Sequence, residues 1–125
     1  MLADDHRMLR EGLRRSMIDQ GFDVVGEARD GDEAIRLAEE LHPEVILMDV
    51  TMPEVDGVEA TRQIKQLFPD IRIVMLTMHA DKDLIDAAIK AGAVGYLTKD
   101  CSIGEVVDAV KLAASGETTL SPQLA

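Results

Sequence analysis

The sequence predicts an α/β protein built on a doubly wound, five-stranded parallel sheet. Short apolar runs alternate with longer segments in which apolar residues recur every three or four positions. This alternation is typical of strands and helices that follow one another along the chain, with helices covering both faces of the sheet. The chain has 125 residues, the length of one ordinary domain, so a single core is expected.

Each predicted strand is a short run rich in Val, Ile, Leu, Met or Ala, which suits a strand buried on both faces. In chain order the strands are Met1–Ala3, Asp23–Glu27, Glu44–Met48, Arg72–Leu76 and Val94–Leu97. Pro43 and Pro69 precede the third and fourth strands, where the preceding helix must already have ended.

Each predicted helix carries apolar residues at helical spacing, as in the series Leu84, Ala87, Ala88 and Ala91. In chain order the helices are His6–Gln20, Asp32–Leu41, Gly57–Leu67, Lys82–Ala91 and Ile103–Ser115. Glycine follows three of them, at Gly21, Gly92 and Gly116. Right-handed crossovers between the strands then favour the flavodoxin-like order 2-1-3-4-5.

The two ends of the sequence suggest that it continues in both directions. The first strand has only three residues before Asp4, although it should be a central strand, so we expect residues upstream of Met1. After Gly116 a polar stretch leads to Ser121 and Pro122, which are typical of a helix start. We therefore expect one folded domain over 1–116 and a linker over 117–125.

Composition limits the classes of partner. The net charge is −11, with 13 basic and 24 acidic residues, so the chain alone should repel nucleic acid. Four arginines of the first predicted helix form a cluster that we interpret as a solvated face, namely Arg7, Arg10, Arg14 and Arg15. The sequence has one cysteine, no signal-peptide pattern and no apolar run near the roughly 20 residues that span a bilayer. We predict a cytoplasmic protein with no membrane partner.

Polar side chains follow four of the five predicted strands, at the edge of the sheet where α/β proteins bind ligands. Those that carry charge or a hydroxyl are Asp4, Asp5, Asp49, Thr77, Thr98 and Lys99. Taken singly, they could be helix caps or surface charges. Three carboxylates at one edge would repel one another unless a cation lay between them, and Mg²⁺ suits such oxygen ligands.

These groups are the parts that phosphoryl transfer requires. A carboxylate is ionised at neutral pH and can attack phosphorus without a general base, so we assign Asp49 as the nucleophile. Mg²⁺, Lys99 and the Thr77 hydroxyl would then neutralise the phosphoryl oxygens.

In this order and on these elements, the residues resemble the receiver domains of two-component response regulators. The match includes Asp4-Asp5, Asp49, Met52-Pro53, Gly57, Thr77, Tyr96 and Lys99. Within the family, the segments around Leu76–His79, Gly95–Asp100 and Leu120–Pro122 look like the NarL/FixJ subgroup, whose output domain is of the LuxR type.

The resemblance implies a (β/α)5 receiver fold and phosphorylation of Asp49 by a sensor histidine kinase. Asp5 and Asp49 would ligate Mg²⁺ directly, with Asp4 acting through water and the Thr51 backbone carbonyl as a further ligand. Thr77 and Tyr96 look like a switch pair, in which the hydroxyl moves onto the phosphoryl group and the ring turns inward. The signal would leave through the fourth helix, fifth strand and fifth helix.

The same resemblance implies partners outside this sequence. They are a C-terminal helix-turn-helix DNA-binding domain, absent here, and a second copy of the chain if phosphorylation causes dimerisation. The domain would be a phosphoacceptor that catalyses only its own phosphorylation and dephosphorylation, not an enzyme acting on other substrates.

Two features depart from the common family pattern. Asp100 follows Lys99 where many receivers have proline, so the bond between them should be trans. Met78 is larger than the usual residue after the switch threonine. We hypothesise that Met78, His79 and Thr51 flank the path of water and set the lifetime of the acyl phosphate.

Three other functions remain as alternatives. A Mg²⁺-dependent phosphatase with an aspartyl nucleophile would place a second acid two residues after Asp49, but Thr51 stands there. A flavin carrier would need donors after the first strand, where Asp4 and Asp5 would repel a phosphate. An adaptor that works without phosphate would not need the full set of site residues.

Overall fold

The computed structural model describes residues 1–78 and 81–116, together with the backbone of 119–120. The helices are α1 (Arg7–Asp19), α2 (Gly31–Leu41), α3 (Gly57–Leu67), α4 (Lys82–Ala91) and α5 (Ile103–Ala114). The strands are β1 (Leu2–Ala3), β2 (Glu27–Ala28), β3 (Val45–Asp49), β4 (Arg72–Thr77), β5 (Gly95–Thr98) and β6 (Thr119–Leu120). All five predicted helices are present, and their ends differ from the predicted ones by no more than one residue.

The strands form one parallel sheet in the order β2-β1-β3-β4-β5-β6. The predicted order of the first five strands is confirmed. The two-residue strand β6, which was not predicted, extends the sheet beyond β5 through the pairs Gly95–Thr119 and Tyr96–Leu120.

The second strand is shorter than predicted, and its position is shifted. Sequence indicated a strand over Asp23–Glu27, whereas only Glu27–Ala28 pairs with β1. β2 lies at the edge of the sheet, and among the strands that the structure describes it pairs with β1 alone. Since β1 itself comprises only Leu2–Ala3, the ladder between them cannot be longer than those two residues.

The core lies on both faces of the sheet because side chains alternate along each strand. From β3 and β4, Ile46, Met48, Ile73 and Met75 point toward α2, α3 and α4, where they pack with small residues such as Ala34 and Ala60. Leu47, Val74 and Leu76 point the other way, toward α1 and α5. The continuous apolar runs of the sequence reflect this two-sided burial.

Polar residues at the helix ends fix where the loops begin. Asp30, Asp56, Asp81 and Ser102 each accept a hydrogen bond from a backbone N–H in the first turn of the helix that follows. Helix α4 ends at Gly92, whose φ of 112° favours glycine. Every peptide bond among the described residues is trans, which confirms the prediction for Lys99–Asp100. None of the described helices has the length and hydrophobicity of a membrane span.

Candidate functional site

The site is formed where β1, β3, β4 and β5 end at one edge of the sheet. Parallel pairing places Ala3 beside Met48 and Asp49 beside Leu76, so Asp4 and Asp49 emerge next to each other. Both carboxylates are buried, with only 2% of each residue exposed. The register of the sheet thus brings together two acids that are 45 positions apart, the difference between 49 and 4 in the sequence.

Lys99 bridges these two acids. Its Nζ lies 3.2 Å from Asp4 Oδ2 and 3.0 Å from Asp49 Oδ2, and the Lys99 side chain is itself buried. The backbone N–H of Lys99 donates to the Thr77 carbonyl at 2.7 Å, which holds the start of this loop against the end of β4. A buried ammonium between two buried carboxylates lowers the repulsion between them.

The environment of Asp49 raises the pKa of its carboxyl group to about 6. Burial is the largest cause, because it disfavours the ionised form. The Lys99 ammonium opposes this effect, while the neighbouring charge of Asp4 adds to it. The Lys99 ammonium therefore compensates only part of the cost of burying the ionised Asp49 carboxylate.

Four residues of this edge could hold a metal ion. Asp4, Asp5, His6 and Asp49 each offer one ligand atom, and these atoms lie within 4.8 Å of one another. Asp5 differs from the two buried acids because its side chain is 34% exposed and can adjust its position. The donor set, rich in carboxylate oxygen and open to water on one side, is suited to a hard divalent cation such as Mg²⁺.

The loop after β3 contributes backbone groups as well. The Thr51 N–H lies 3.3 Å from Asp49 Oδ1, to which it donates a hydrogen bond. Farther along, Glu54 has a φ of 65° and Gly57 N–H donates to the Val50 carbonyl at 2.8 Å. These contacts fold the loop back toward the end of β3.

Gly57 is required by the close approach of this loop. A β-carbon at position 57 would lie 1.9 Å from the Asp49 carbonyl oxygen. We predict that Gly57→Ala lowers the free energy of unfolding by about 2 kcal/mol or more, because the backbone at Asp49 must move. Urea denaturation measures this change.

Gly12→Ala is the matched control for that variant. No atom lies within 4 Å of a β-carbon at Gly12, and the residue is inside α1. Alanine there should stabilise the protein by roughly 0.5–1 kcal/mol through helix propensity. Equal effects of the two substitutions would contradict the steric explanation for Gly57.

Thr77 lies on β4 and Tyr96 on the neighbouring β5, where Thr77 pairs with Thr98 and Tyr96 pairs with Met75. Both Thr77 and Tyr96 are buried, and Tyr96 is only 1% exposed. Burial raises the pKa of the Tyr96 phenol, and the nearby Thr77 side chain partly offsets that rise. The ring predicted to turn inward is thus already inside the protein in this structure.

Of Met78 and His79, which were predicted to flank the path of water, the structure describes only Met78. Met78 directly follows β4 and is 67% exposed, so it is available at the surface beside the site. His79 lies outside the described residues.

Arg10 is a site residue that the sequence analysis missed. The interpretation of the arginine cluster as a solvated face is wrong for Arg10, of which only 8% is exposed. Its Nη1 donates to the Asp4 carbonyl at 2.7 Å, and its Nε donates to Glu27 at 3.1 Å. The spacing of Arg10 with the buried residues Leu13 and Met17 indicates the inner face of the helix and could have revealed this role.

His6 lies at the start of α1 and beside the acidic cluster. It is the N-cap residue of α1, which begins at Arg7, one residue after the predicted start. Its ring, however, lies in the acidic cluster, with Nδ1 3.1 Å from Asp4 Oδ1 and 3.2 Å from Lys99 Nζ. The only sequence signal was its position directly after Asp4-Asp5.

Comparison with known proteins agrees with this geometry. Residues 1–111 match the family model described as the response regulator receiver domain. The chain belongs to this family. The regulatory protein LiaR of Bacillus subtilis is 44% identical over 126 residues, covering 100% of this chain and 60% of LiaR. The response regulator GacA of Pseudomonas aeruginosa is 40% identical, covering 100% of this chain and 59% of GacA.

Solved structures show the same fold. A two-component response regulator of the LuxR family from Aurantimonas sp. SI85-9A1 matches with a TM-score of 0.93 and 42% identity, covering 99% of this chain and 89% of that one. The receiver domain of a NarL-type regulator from Mycobacterium tuberculosis matches with a TM-score of 0.88 and 33% identity, covering 93% of this chain and 94% of that one. The predicted assignment to the LuxR/NarL group of receivers is confirmed.

This membership has direct consequences for the site. Receiver domains are signalling modules rather than classical enzymes, and they bind Mg²⁺ at an acidic pocket. This chain has an aspartate cluster that could hold such an ion. The chain spans 60% of the length of LiaR and 59% of the length of GacA.

Proposed function

We propose that the chain is a phosphorylation-dependent switch in which Asp49 accepts a phosphoryl group from a sensor histidine kinase. The observation that carries the proposal is the pairing of buried Asp49 with Lys99 at 3.0 Å, beside a second buried acid, Asp4. A buried carboxylate of raised pKa beside one fixed cation is poised to bind a further cation and an anionic phosphoryl group.

Asp49 is the nucleophile of the proposed reaction. One of its carboxylate oxygens attacks phosphorus in line with the bond to the donor nitrogen or oxygen, and that bond breaks as the aspartyl phosphate forms. Lys99 is positioned to neutralise charge on the transferred group, because its Nζ already contacts the attacking carboxylate. The Thr51 N–H orients the same carboxylate through its contact with Oδ1.

Mg²⁺ would be held at this site by the carboxylates of Asp5 and Asp49 and by the Thr51 backbone carbonyl, with Asp4 acting through water. Bound there, the ion supplies positive charge for the phosphoryl oxygens. Arg10 helps to position Asp4, because its hydrogen bond to the Asp4 carbonyl fixes the end of β1.

Thr77 and Tyr96 are proposed to carry the state of the site to the surface. The Thr77 hydroxyl would move onto the phosphoryl group and away from the Tyr96 phenol, whose pKa it influences in this structure. Such a change needs to favour one of two arrangements of α4, β5 and α5 by only about 1–3 kcal/mol to act as a signal.

The whole response regulator is proposed to be a transcription factor in the cytoplasm. Residues 1–116 would form the receiver and residues 117–125 the start of a linker to a C-terminal helix-turn-helix domain that binds DNA. Phosphorylation would act through that domain and through a homodimer of receivers. The receiver itself, with a net charge of −11, would not bind DNA directly.

Incubation with acetyl phosphate and Mg²⁺, followed by intact mass measurement, tests the proposal. One added phosphoryl group is expected in the wild type and none in Asp49→Asn. The matched control is Asp86→Asn, which removes an exposed acid of α4 and should leave phosphorylation unchanged. Labelling of Asp49→Asn at the wild-type level would refute the assignment, and turnover of unrelated phosphoesters would favour the phosphatase alternative.

The lifetime of the acyl phosphate is proposed to depend on Thr51, Met78 and His79. Met78 is exposed beside the site, where its side chain can narrow the approach of water. The Met78→Ala, His79→Ala double variant should therefore dephosphorylate faster than the wild type, as measured by loss of labelled phosphate over time. A rate that stayed within about twofold, a barrier change of less than about 0.5 kcal/mol, would contradict this role.

A further inference from the structure

The imidazole of His6 lies among all the charged groups of the site. Nδ1 is 3.1 Å from Asp4 Oδ1, 3.4 Å from Asp5 Oδ1 and 4.0 Å from Asp49 Oδ2. The same nitrogen is 3.2 Å from Lys99 Nζ. A single ring nitrogen thus approaches every carboxylate that could bind a cation here.

Neither helix capping nor packing explains the position of this ring. The backbone N–H of His6 donates to Asp4 Oδ1 at 2.7 Å, but its side chain makes no capping hydrogen bond to α1. The side chain is 61% exposed, so it does not fill a gap in the core. The backbone is fixed by Asp4, and the contacts that hold the ring are the polar ones of Nδ1 with Asp4 and Lys99, within the site itself.

The buried oxygens beside the ring are themselves suited to a metal ion. Asp4 Oδ2 and Asp49 Oδ2 are inaccessible to solvent and accept no aligned hydrogen bond from the described residues. Lys99 Nζ, at 3.2 and 3.0 Å, contacts them as an ion pair. Burying carboxylate oxygens without hydrogen bonds is unfavourable, and a cation bound between them would offset this cost.

We propose that His6 supplies a nitrogen ligand to a divalent cation at this site and thereby sets its metal selectivity. The inference rests on the proposed function for the location of the metal, and it adds a ligand and a preference. Mg²⁺ favours an all-oxygen environment, whereas Co²⁺, Ni²⁺ and Zn²⁺ bind imidazole well. His6 therefore strengthens the binding of these later ions much more than the binding of Mg²⁺.

The test is a pair of titrations of the 125-residue chain, with Co²⁺ and Mg²⁺ added separately at fixed pH. Affinity is obtained from the rise of melting temperature with metal concentration, and Co²⁺ is followed also by its visible absorption. His6→Ala should weaken Co²⁺ binding by about tenfold or more and Mg²⁺ binding by less than about threefold. In the wild type, the Co²⁺ complex should show hyperfine-shifted imidazole proton resonances, which the variant lacks.

His42→Ala is the matched control. His42 ends α2 and pairs with Asp70 at 2.9 Å through Nε2, so its loss should leave both titrations unchanged. His6→Asn, which keeps a polar side chain at the start of α1, provides a second variant if His6→Ala does not fold. It should give the same selective loss of Co²⁺ affinity.

Several outcomes would overturn the inference. They are an equal loss of Co²⁺ and Mg²⁺ affinity in the His6 variants, no loss of either, absence of shifted imidazole resonances in the wild type, or a selective loss in His79→Ala instead. Phosphorylation of Asp49 is tested separately, in the wild type with Mg²⁺. Failure of that reaction would refute the proposed function without changing the metal titrations, and the reverse also holds.

Discussion

Replacing Lys99 by methionine should destabilise the protein by about 3 kcal/mol at pH 7.5 in the absence of metal. The substitution keeps a side chain of similar length but removes the ammonium that lies 3.2 Å from Asp4 Oδ2 and 3.0 Å from Asp49 Oδ2. Removing one partner of a buried ion pair leaves charge uncompensated, at a typical cost of roughly 3–5 kcal/mol. Proton uptake by one of the two acids limits the cost to the lower end of this range.

A double variant makes this prediction specific. In Lys99→Met, Asp49→Asn, only one buried carboxylate remains, so a large part of the lost stability should return. Urea denaturation of the wild type, both single variants and the double variant gives the coupling energy between the two positions. Lys90→Met, which removes an exposed lysine of α4, is the control and should change stability by less than about 0.5 kcal/mol.

Two outcomes would contradict this account of Lys99. One is additivity of the Lys99 and Asp49 substitutions, which would mean that the ammonium and the carboxylate do not interact. The other is a destabilisation of Lys90→Met as large as that of Lys99→Met. If the proposed reaction is correct, the same Lys99 variant should also lose phosphorylation of Asp49, because it lacks the charge proposed to neutralise the phosphoryl group.

The fold could be predicted well from the sequence because its strands are buried on both faces. Runs such as Val45–Met48 and Ile73–Leu76 are apolar throughout, and the helices between them have a clear helical period. The predicted bounds of β2 were wrong, because they were read from the local sequence alone. The extent of that strand depends on the length of β1, a partner more than twenty positions away in the sequence.

The site could be predicted only in part, for a related reason. Residues that directly follow strands, such as Asp4, Asp49 and Lys99, are brought to one edge by the topology alone. Arg10 and His6 reach the same site from the start of a helix, and their positions depend on helix rotation and rotamer rather than on strand order. Sequence reasoning from strand ends therefore missed Arg10, and it interpreted His6 as a helix-start residue rather than a metal ligand.

The metal-free protein should lose stability as the pH rises from about 4 to about 6, and Asp49→Asn should remove this loss. The pKa of Asp49 is raised from 3.8 to about 6 in the folded protein. The folded state therefore binds a proton more tightly than the unfolded state does. The stabilising effect of that proton is complete below the unfolded pKa and disappears as the pH rises through the folded one.

The size of this loss of stability follows from the change in the pKa of Asp49. Each pKa unit corresponds to about 1.4 kcal/mol, so ionisation of Asp49 costs the folded protein about 3 kcal/mol above pH 6. In EDTA, Asp49→Asn should thus be more stable than the wild type by about 2 kcal/mol at pH 7.5, allowing for its lost contact with Lys99. At pH 4 the two proteins should differ little.

Mg²⁺ should raise the stability of the wild type, whereas ionisation of Asp49 lowers it. A cation that neutralises Asp49 stabilises the folded state, by about 2.7 kcal/mol at a concentration one hundred times its Kd, and should have no such effect on Asp49→Asn. Urea titrations at several pH values, with EDTA or with Mg²⁺, measure both effects. If Asp49→Asn were less stable than the wild type at every pH in EDTA, the carboxylate would be a stabilising core group. Ionised Asp49 would then not destabilise the metal-free folded protein, contrary to this prediction.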